Sequence, residues 1–219
     1  MASVIFDLDG TLIDSAPDLQ GIANRILANM HKQPLTIEET RNFIGNGVGV
    51  FVQKMCDARE IDAAAHPSCL EDFMAAYPTA FTLTKLYPGV VDELKVLKRQ
   101  NHLLGLCTNK PMAPTQTVLE HLHLDQFFDA IVAGDSLSQR KPHPAPLLLA
   151  IERLSEGPAV YVGDSEIDAE TAESAETPFL LYTNGYRKKP CAELKHAGTF
   201  DHFDRLSNLV AETIGAKPQ

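Results

Sequence analysis

From Tyr87 onward, short apolar runs alternate with segments of helical periodicity, and no other feature constrains the fold as tightly. "LLGLCTN", "AIVAG", "AVYVGD" and "FLLYT" read as strands. "YPGVVDELKVLKRQ", "PTQTVLEHLHL", "PAPLLLAIERL", "EIDAETAESA" and "FDRLSNLVAETI" read as helices. In the first of these, Val91, Leu94 and Leu97 share a face behind a Pro88–Gly89 start, and the run Leu147, Leu148, Leu149 is expected in the core. The strands are apolar throughout, which marks a sheet covered on both faces, and strand–helix–strand order requires parallel pairing through right-handed crossovers. "VIFD" at Val4–Asp7 adds a further strand. The predicted fold class is α/β, a doubly wound parallel sheet with a Rossmann-like core.

Residues 15–85 break this rhythm. Ser15 is placed to cap a helix with Pro17 in its first turn, and Leu19, Ile22, Ala23, Ile26, Leu27 and Met30 follow at helical spacing. Thr36 and Glu39 form a capping-box pattern for a second helix ending near Gly45. "VFVQKMCDA" and "CLEDFMAAYPTAF" are helical as well. The expected organisation is a catalytic α/β core from residues 1–14 and 86–219, with residues 15–85 inserted as a helical cap. Its two connections, Leu12–Ser15 and Leu83–Tyr87, should lie side by side, so the insertion can act as a lid.

The 219 residues carry 29 acids and 19 bases, a formal net charge of −10. A phosphate backbone would be repelled, so nucleic acid is not an expected partner. Cys56, Cys69, Cys107 and Cys191 show no metal or redox spacing and read as free thiols of a reducing, cytoplasmic compartment. No basic leader precedes the first strand and no apolar run is long enough to span a bilayer, so no membrane is expected. The expected partner is a small phosphorylated metabolite, the protein being a monomer or homodimer.

In a doubly wound sheet, ligands bind beyond the carboxyl ends of the strands. Asp7 and Asp9 end the first strand here; Thr108 and Asn109 end the second; "RKPHPAP", with Lys141, follows the third; "GDSEID", with Asp164 and Asp168, follows the fourth. Clustered acids repel, and a hard divalent cation such as Mg2+ relieves that conflict. Lys141 and the Thr108 hydroxyl supply donors for an anion, which together describes a phosphoryl-transfer site. One acid can attack phosphorus while the other shuttles a proton. Taken singly, these residues have plainer readings: Asp164 or Asp168 can cap the next helix, and Lys141 can be a surface lysine. The Gly45–Asn46–Gly47 loop either joins two helices or offers backbone N–H groups to a substrate carboxylate. Arg41 and Lys54 are either carboxylate partners or solvated surface charge. His143 adjoins Lys141 and can reach the site, whereas His121 and His123 belong on a helix surface.

"DLDGTLIDS", "CTNK", "RKPHPAP" and "GDSEID", in that order, resemble the four motifs of the haloacid dehalogenase-like hydrolases, and the resemblance covers essentially the whole chain. It implies that Asp7 is the nucleophile and Asp9 the general acid/base, that Thr108 and Lys141 hold the phosphoryl group, and that Gly10, Thr11 and Asn109 complete its binding. It further implies that Mg2+ is held by Asp7, Asp164 and the Asp9 carbonyl, with Asp168 in support, and that Asn46 and Gly47 reach the substrate from the cap. "IGNGVGVFVQK" is similar to the phosphoglycolate phosphatase branch, which makes 2-phosphoglycolate the expected substrate. "SAETPFLL" departs from that branch by carrying Glu176 and Thr177 where a glycine is usual, and the glycine of "LYTNGYRKK" is shifted. A β-phosphoglucomutase-like mutase, a sugar-phosphate phosphatase and, outside the enzymes, a phospho-acceptor signalling module are the alternatives. A haloacid dehalogenase fits less well, because it needs neither Asp9 nor a metal.

Overall fold

A computed structural model describes residues 1–154 and 157–215. Six strands form one parallel sheet: β1 (Ser3–Phe6), β4 (Leu103–Cys107), β5 (Ala130–Val132), β6 (Ala159–Gly163), β7 (Phe179–Tyr182) and β8 (Gly198–Phe200), in the order β5-β4-β1-β6-β7-β8. β1 is central, with Phe6 opposite Leu106 on one side and Val162 on the other. Because side chains alternate across a strand, Val4 and Phe6 enter a core with α5 (Val90–Arg99), α6 (Met112–His121) and α9 (Leu206–Gly215). Ile5 points the other way, with Tyr161, into a core with α7 (Ala145–Leu154) and α8 (Glu166–Ser174). The uniformly apolar strands thus bury both faces, as expected.

The short strand β8 has no counterpart in the sequence reading; "GTF" is too brief to carry a period. Nor do Leu147–Leu149 form a core run. Leu147 is buried, but Leu148, 47% exposed, has turned out to solvent, because each helical residue rotates by roughly 100°. In α5 the buried face is Val90, Leu94 and Leu97, with Val91 at its edge.

Between β1 and α5 lie four helices: α1 (Ala16–Asn29), α2 (Ile37–Phe43), α3 (Val48–Ala58) and α4 (His66–Ala76). They share a core of their own, in which Leu19, Ile22, Ala23, Ile26 and Leu27 meet Phe51, Met55, Cys56 and Phe73. Met30 packs at its margin. Thr36 and Glu39 make the expected reciprocal capping box. The two connections meet as an antiparallel pair, β2 (Ile13–Asp14) against β3 (Lys85–Leu86), with Ile13 opposite Leu86. Asp18 fastens the junction: its buried Oδ2 accepts hydrogen bonds from Leu83 N (3.0 Å), Thr84 N (2.6 Å) and Thr84 Oγ1 (2.7 Å). Ser15 does not cap α1 with its side chain, which is engaged elsewhere.

Candidate active site

Each strand-end residue is placed by the sheet itself. Asp7 N donates to Val162 O (2.8 Å) and Thr108 N to Val132 O (3.0 Å), so both continue the ladder past the last regular pairs. Asp164 directly follows β6. Lys141 sits in a loop and needs another anchor. Asn109 provides it: its Nδ2 donates to Lys141 O (2.9 Å) and to Gly45 O (2.9 Å), and its Oδ1 accepts from Lys141 N (3.0 Å). The Asn109 amide therefore ties the Lys141 loop to the cap, and the residue also lines the cavity described below.

The Lys141 ammonium, nearly sealed from solvent, donates to Asp7 Oδ1 (2.7 Å), Asp168 Oδ1 (2.7 Å) and the Tyr161 hydroxyl (2.8 Å). Asp168 is saturated. Its Oδ1 also faces Tyr161 OH (2.8 Å), and its Oδ2 accepts from Ser165 Oγ (2.6 Å), Ser165 N (3.2 Å) and Asp164 N (3.3 Å). The helix cap at α8 is accordingly Ser165 with Asp168 in a reciprocal box, not Asp164. Burial pushes Asp168 up, but Lys141, Ser165 and Tyr161 outweigh it and hold the carboxyl below the usual range. Asp7 has only Lys141, so burial, with Asp168 and Asp9 adding to it, pushes its carboxyl up to about 7. Asp164 is raised well above its ordinary value by burial and by its neighbours Asp168 and Asp7.

Asp7, Asp164 and Asp168 each offer an oxygen within 4.8 Å of the others. With Asp168 fully engaged, Asp7 and Asp164 are the two with a ligand to offer, and an all-oxygen donor set between two destabilised carboxylates fits a hard divalent cation. Gly10 and Thr11 pack against Asp164. Thr11 Oγ1 donates to Asp164 Oδ1 (2.8 Å), and Gly10, at φ +97°, comes so close that a Cβ would lie 2.5 Å from Asp164 Oδ2. Only glycine serves there. On the far side Tyr186 N donates to Asp164 Oδ2 (2.5 Å). The unusual Gly185 backs onto the same carboxyl, where a Cβ would come within 2.3 Å. The other departure, Glu176, takes the left-handed conformation (φ 51°) that ends α8, the place a glycine would occupy without strain.

A cavity of about 40 Å³ opens between sheet rim and helices, room for only a few water-sized groups. Asp7, Asp9, Thr108 and Lys110 line its polar end; Leu19, Ile44, Val48, Phe51 and Phe73 wall the other. Asp9 is positioned by two groups: Ser15 Oγ donates to its Oδ1 (2.5 Å), and Lys110 Nζ lies 3.2 Å from the same oxygen. Lys110 also donates to Tyr77 OH (2.9 Å), whose phenol burial pushes up to about 12 against the opposing Lys110 charge. Gly45 and Gly47 contribute to the wall and also join α2 to α3; Asn46 is not among the lining residues. His143 points away: it is exposed, and its Nδ1 accepts from Ala145 N (3.1 Å). Arg41 pairs with Asp14 (2.8 Å) on the β2 strand, outside the cavity, and Lys54 is half-buried beside Lys188 and Glu166.

The profile of the haloacid dehalogenase-like hydrolases matches residues 4–182. The chain belongs to this family. Among its relatives is the phosphoglycolate phosphatase of Cereibacter sphaeroides (strain ATCC 17029), 46% identical over 217 residues, covering 98% of this chain and 100% of that protein. Phosphoglycolate phosphatase 1 of Pseudomonas aeruginosa is 40% identical over 197 residues, covering 87% of this chain and 72% of that one. The crystal structure of a predicted phosphoglycolate phosphatase from Haemophilus somnus 129PT superposes with a TM-score of 0.88 at 31% identity, covering 94% of this chain and 96% of the other.

Four contributors to this hydrolase's site carry no signal that sequence reasoning used: Lys110, Tyr161, Ser15 and Tyr186. Lys110 was legible in principle, as a lysine one residue beyond Thr108–Asn109 on the same rim. Tyr161, Ser15 and Tyr186 reach the site through side-chain directions that spacing does not encode. Tyr186 bridges to the cap as well, its hydroxyl donating to Asp14 Oδ1 (2.6 Å) and accepting from Ser15 N (2.9 Å).

Proposed function

We propose that this chain is a phosphatase that hydrolyses 2-phosphoglycolate to glycolate and phosphate through a phosphoaspartate on Asp7, with residues 1–14 and 86–219 as the catalytic core and 15–85 as its cap. The observation that carries this reading is one buried pocket in which Asp7 Oδ1 touches Lys141 at 2.7 Å while Asp9 and Thr108 line the adjoining cavity. An Asp7 oxygen attacks phosphorus, the bond to the substrate's ester oxygen breaks, and Asp9 gives that oxygen its proton. Asp9 then takes a proton from water, whose oxygen attacks the phosphoaspartate, releasing phosphate and restoring Asp7. Lys141 and the Thr108 hydroxyl neutralise and orient the phosphoryl oxygens. The Asp7 and Asp164 carboxylates and the Asp9 carbonyl would hold Mg2+, which supplies charge neutralisation to the phosphoryl group when bound. Residues 15–85, closing over the rim, exclude bulk water and limit the ligand to a small metabolite.

The four cysteines are unpaired, in keeping with a reducing cytoplasm. Among the described residues, no helix is long and apolar enough to cross a membrane.

Phosphate release measured across 2-phosphoglycolate, sugar phosphates, nucleotides and pyrophosphate tests the substrate. We expect the highest kcat/KM for 2-phosphoglycolate; a tenfold preference for any other compound, ~1.4 kcal/mol of transition-state binding, removes it. EDTA should abolish turnover and Mg2+ should restore it. Full activity in excess chelator would count against the cation. A phospho-acceptor module would instead yield one phosphate per chain and no multiple turnover.

A further inference from the structure

Lys110 stands out from the rest of the cavity. Of the thirteen side chains and glycines lining it, Lys110 alone is cationic, and the wall opposite Asp9 is aliphatic and aromatic. Its side chain is 3% exposed. Its ammonium has three donors and, among the described residues, two partners, Asp9 and Tyr77 OH (2.9 Å), the Asp9 contact being 3.2 Å to Oδ1 and a longer 3.5 Å to Oδ2. The ammonium also lies 4.5 Å from the centroid of the Tyr77 ring. Burial alone would lower a lysine's pKa, but Asp9 and the Tyr77 hydroxyl outweigh it and hold this ammonium charged, so the cavity carries a fixed cation. The Lys141 ammonium, two elements away, shows the contrast: two carboxylates at 2.7 Å each and a phenol at 2.8 Å. Lys141 is satisfied where it stands, whereas Lys110 has a donor left for the cavity.

We propose that Lys110 is the receptor for a second anionic group on the substrate, a carboxylate, and that this carboxylate replaces Asp9 as its partner when the substrate enters. This rests on the phosphatase reading above and names the part of that site which selects the ligand. The phosphoryl group belongs at the Asp7–Lys141 end, so a carboxylate one carbon from the ester oxygen has only a short distance to reach Lys110 in so small a cavity. Lys110 can donate to a neutral hydroxyl as well, but only a carboxylate neutralises its charge, so the site favours a charged end over an uncharged one of the same size. Leaving Lys110 also clears one oxygen of Asp9, which Ser15 continues to hold (2.5 Å), for the ester oxygen it must protonate. Tyr77, from the end of the cap, steadies Lys110 from the opposite side and makes the receptor a joint product of cap and core.

The test compares 2-phosphoglycolate with 2-hydroxyethyl phosphate, in which the carboxylate is replaced by a hydroxymethyl group, in the wild type, Lys110→Met and Lys110→Arg. The wild type should prefer phosphoglycolate by about a hundredfold or more in kcat/KM, as loss of a buried charge-assisted contact dictates. Lys110→Met should lower both substrates, because Lys110 also positions Asp9, but phosphoglycolate by far more, bringing the two to within about tenfold, and Lys110→Arg should keep much of the preference. A wild type that turns over both equally overturns the proposal without any variant, even if Lys110→Met fails to fold. So does a Lys110→Met enzyme that loses both substrates in equal measure, which would leave Lys110 acting on Asp9 alone. If the wild type instead favours a different small phosphate bearing a second anionic group, and Lys110→Met erases that preference, the phosphoglycolate assignment falls while the receptor stands.

Discussion

Asp7→Asn should abolish turnover, by a factor on the order of 10⁴ to 10⁶ in kcat, the range seen when a nucleophile is removed from a site whose other parts persist. The amide of asparagine does not form the acyl phosphate that the carboxylate forms, and nothing nearby substitutes. Asp168, the other acid touching Lys141, has both oxygens occupied by Lys141, Tyr161 and Ser165. The fold should survive. Asparagine has the same shape, Lys141 keeps Asp168 and Tyr161 as partners, and the Asp7 carboxyl, pushed up to about 7 by burial, already pays heavily for its charge. Phosphate release and a thermal melt, read on one preparation, check both halves. Activity near that of the parent would end the covalent mechanism; a collapsed melt would mean that Asp7 is a structural residue first.

Lys141→Met tests stability as well as chemistry. Removing the ammonium leaves Asp7 and Asp168 buried with no counter-ion at 2.7 Å, and breaking a buried ion pair on one side typically costs about 3–5 kcal/mol. For a chain of this size that corresponds to a fall of roughly 6–20 °C in Tm. The cost is large because burial, which alone would lower the lysine's pKa, is outweighed by Asp168 and Asp7, so the folded state depends on the charge being present. Turnover should fall at least on the order of 10²- to 10³-fold, the loss typical of one electrostatic donor to a developing charge. Calorimetry of the metal-free protein separates the two effects. A melting temperature within about 2 °C of the parent would show that the two acids are stabilised by something other than Lys141.

How much of this was legible in the sequence differs by level. The α/β class followed from alternation alone, because uniformly apolar strands separated by amphipathic helices have few ways to bury themselves. The convergence of Asp7, Thr108, Lys141 and Asp164 followed from topology: parallel strands present all their carboxyl ends on one rim. The capping box at Thr36–Glu39 was readable because it is a contact over three residues. Errors arose where a side chain's direction mattered. Ser15 reads as a helix cap and instead holds Asp9, while Asn109 and Thr11 also pin the Lys141 loop and Asp164, contacts that spacing does not encode. Leu148 looked like core and faces solvent.

By itself the sequence determined the longer elements, their order and the strand-end residues of the rim, since these depend on periodicity and on local bonds between near neighbours. Only the tertiary structure decided how the charges divide: that Asp168 is saturated while Asp7 and Asp164 are not, and that Lys110 is buried between Asp9 and Tyr77 at the cavity. Those outcomes rest on distances between residues as far apart as Asp9 and Lys110, or Asp7 and Lys141, and on the exclusion of water around them. Spacing along the chain carries no information about either.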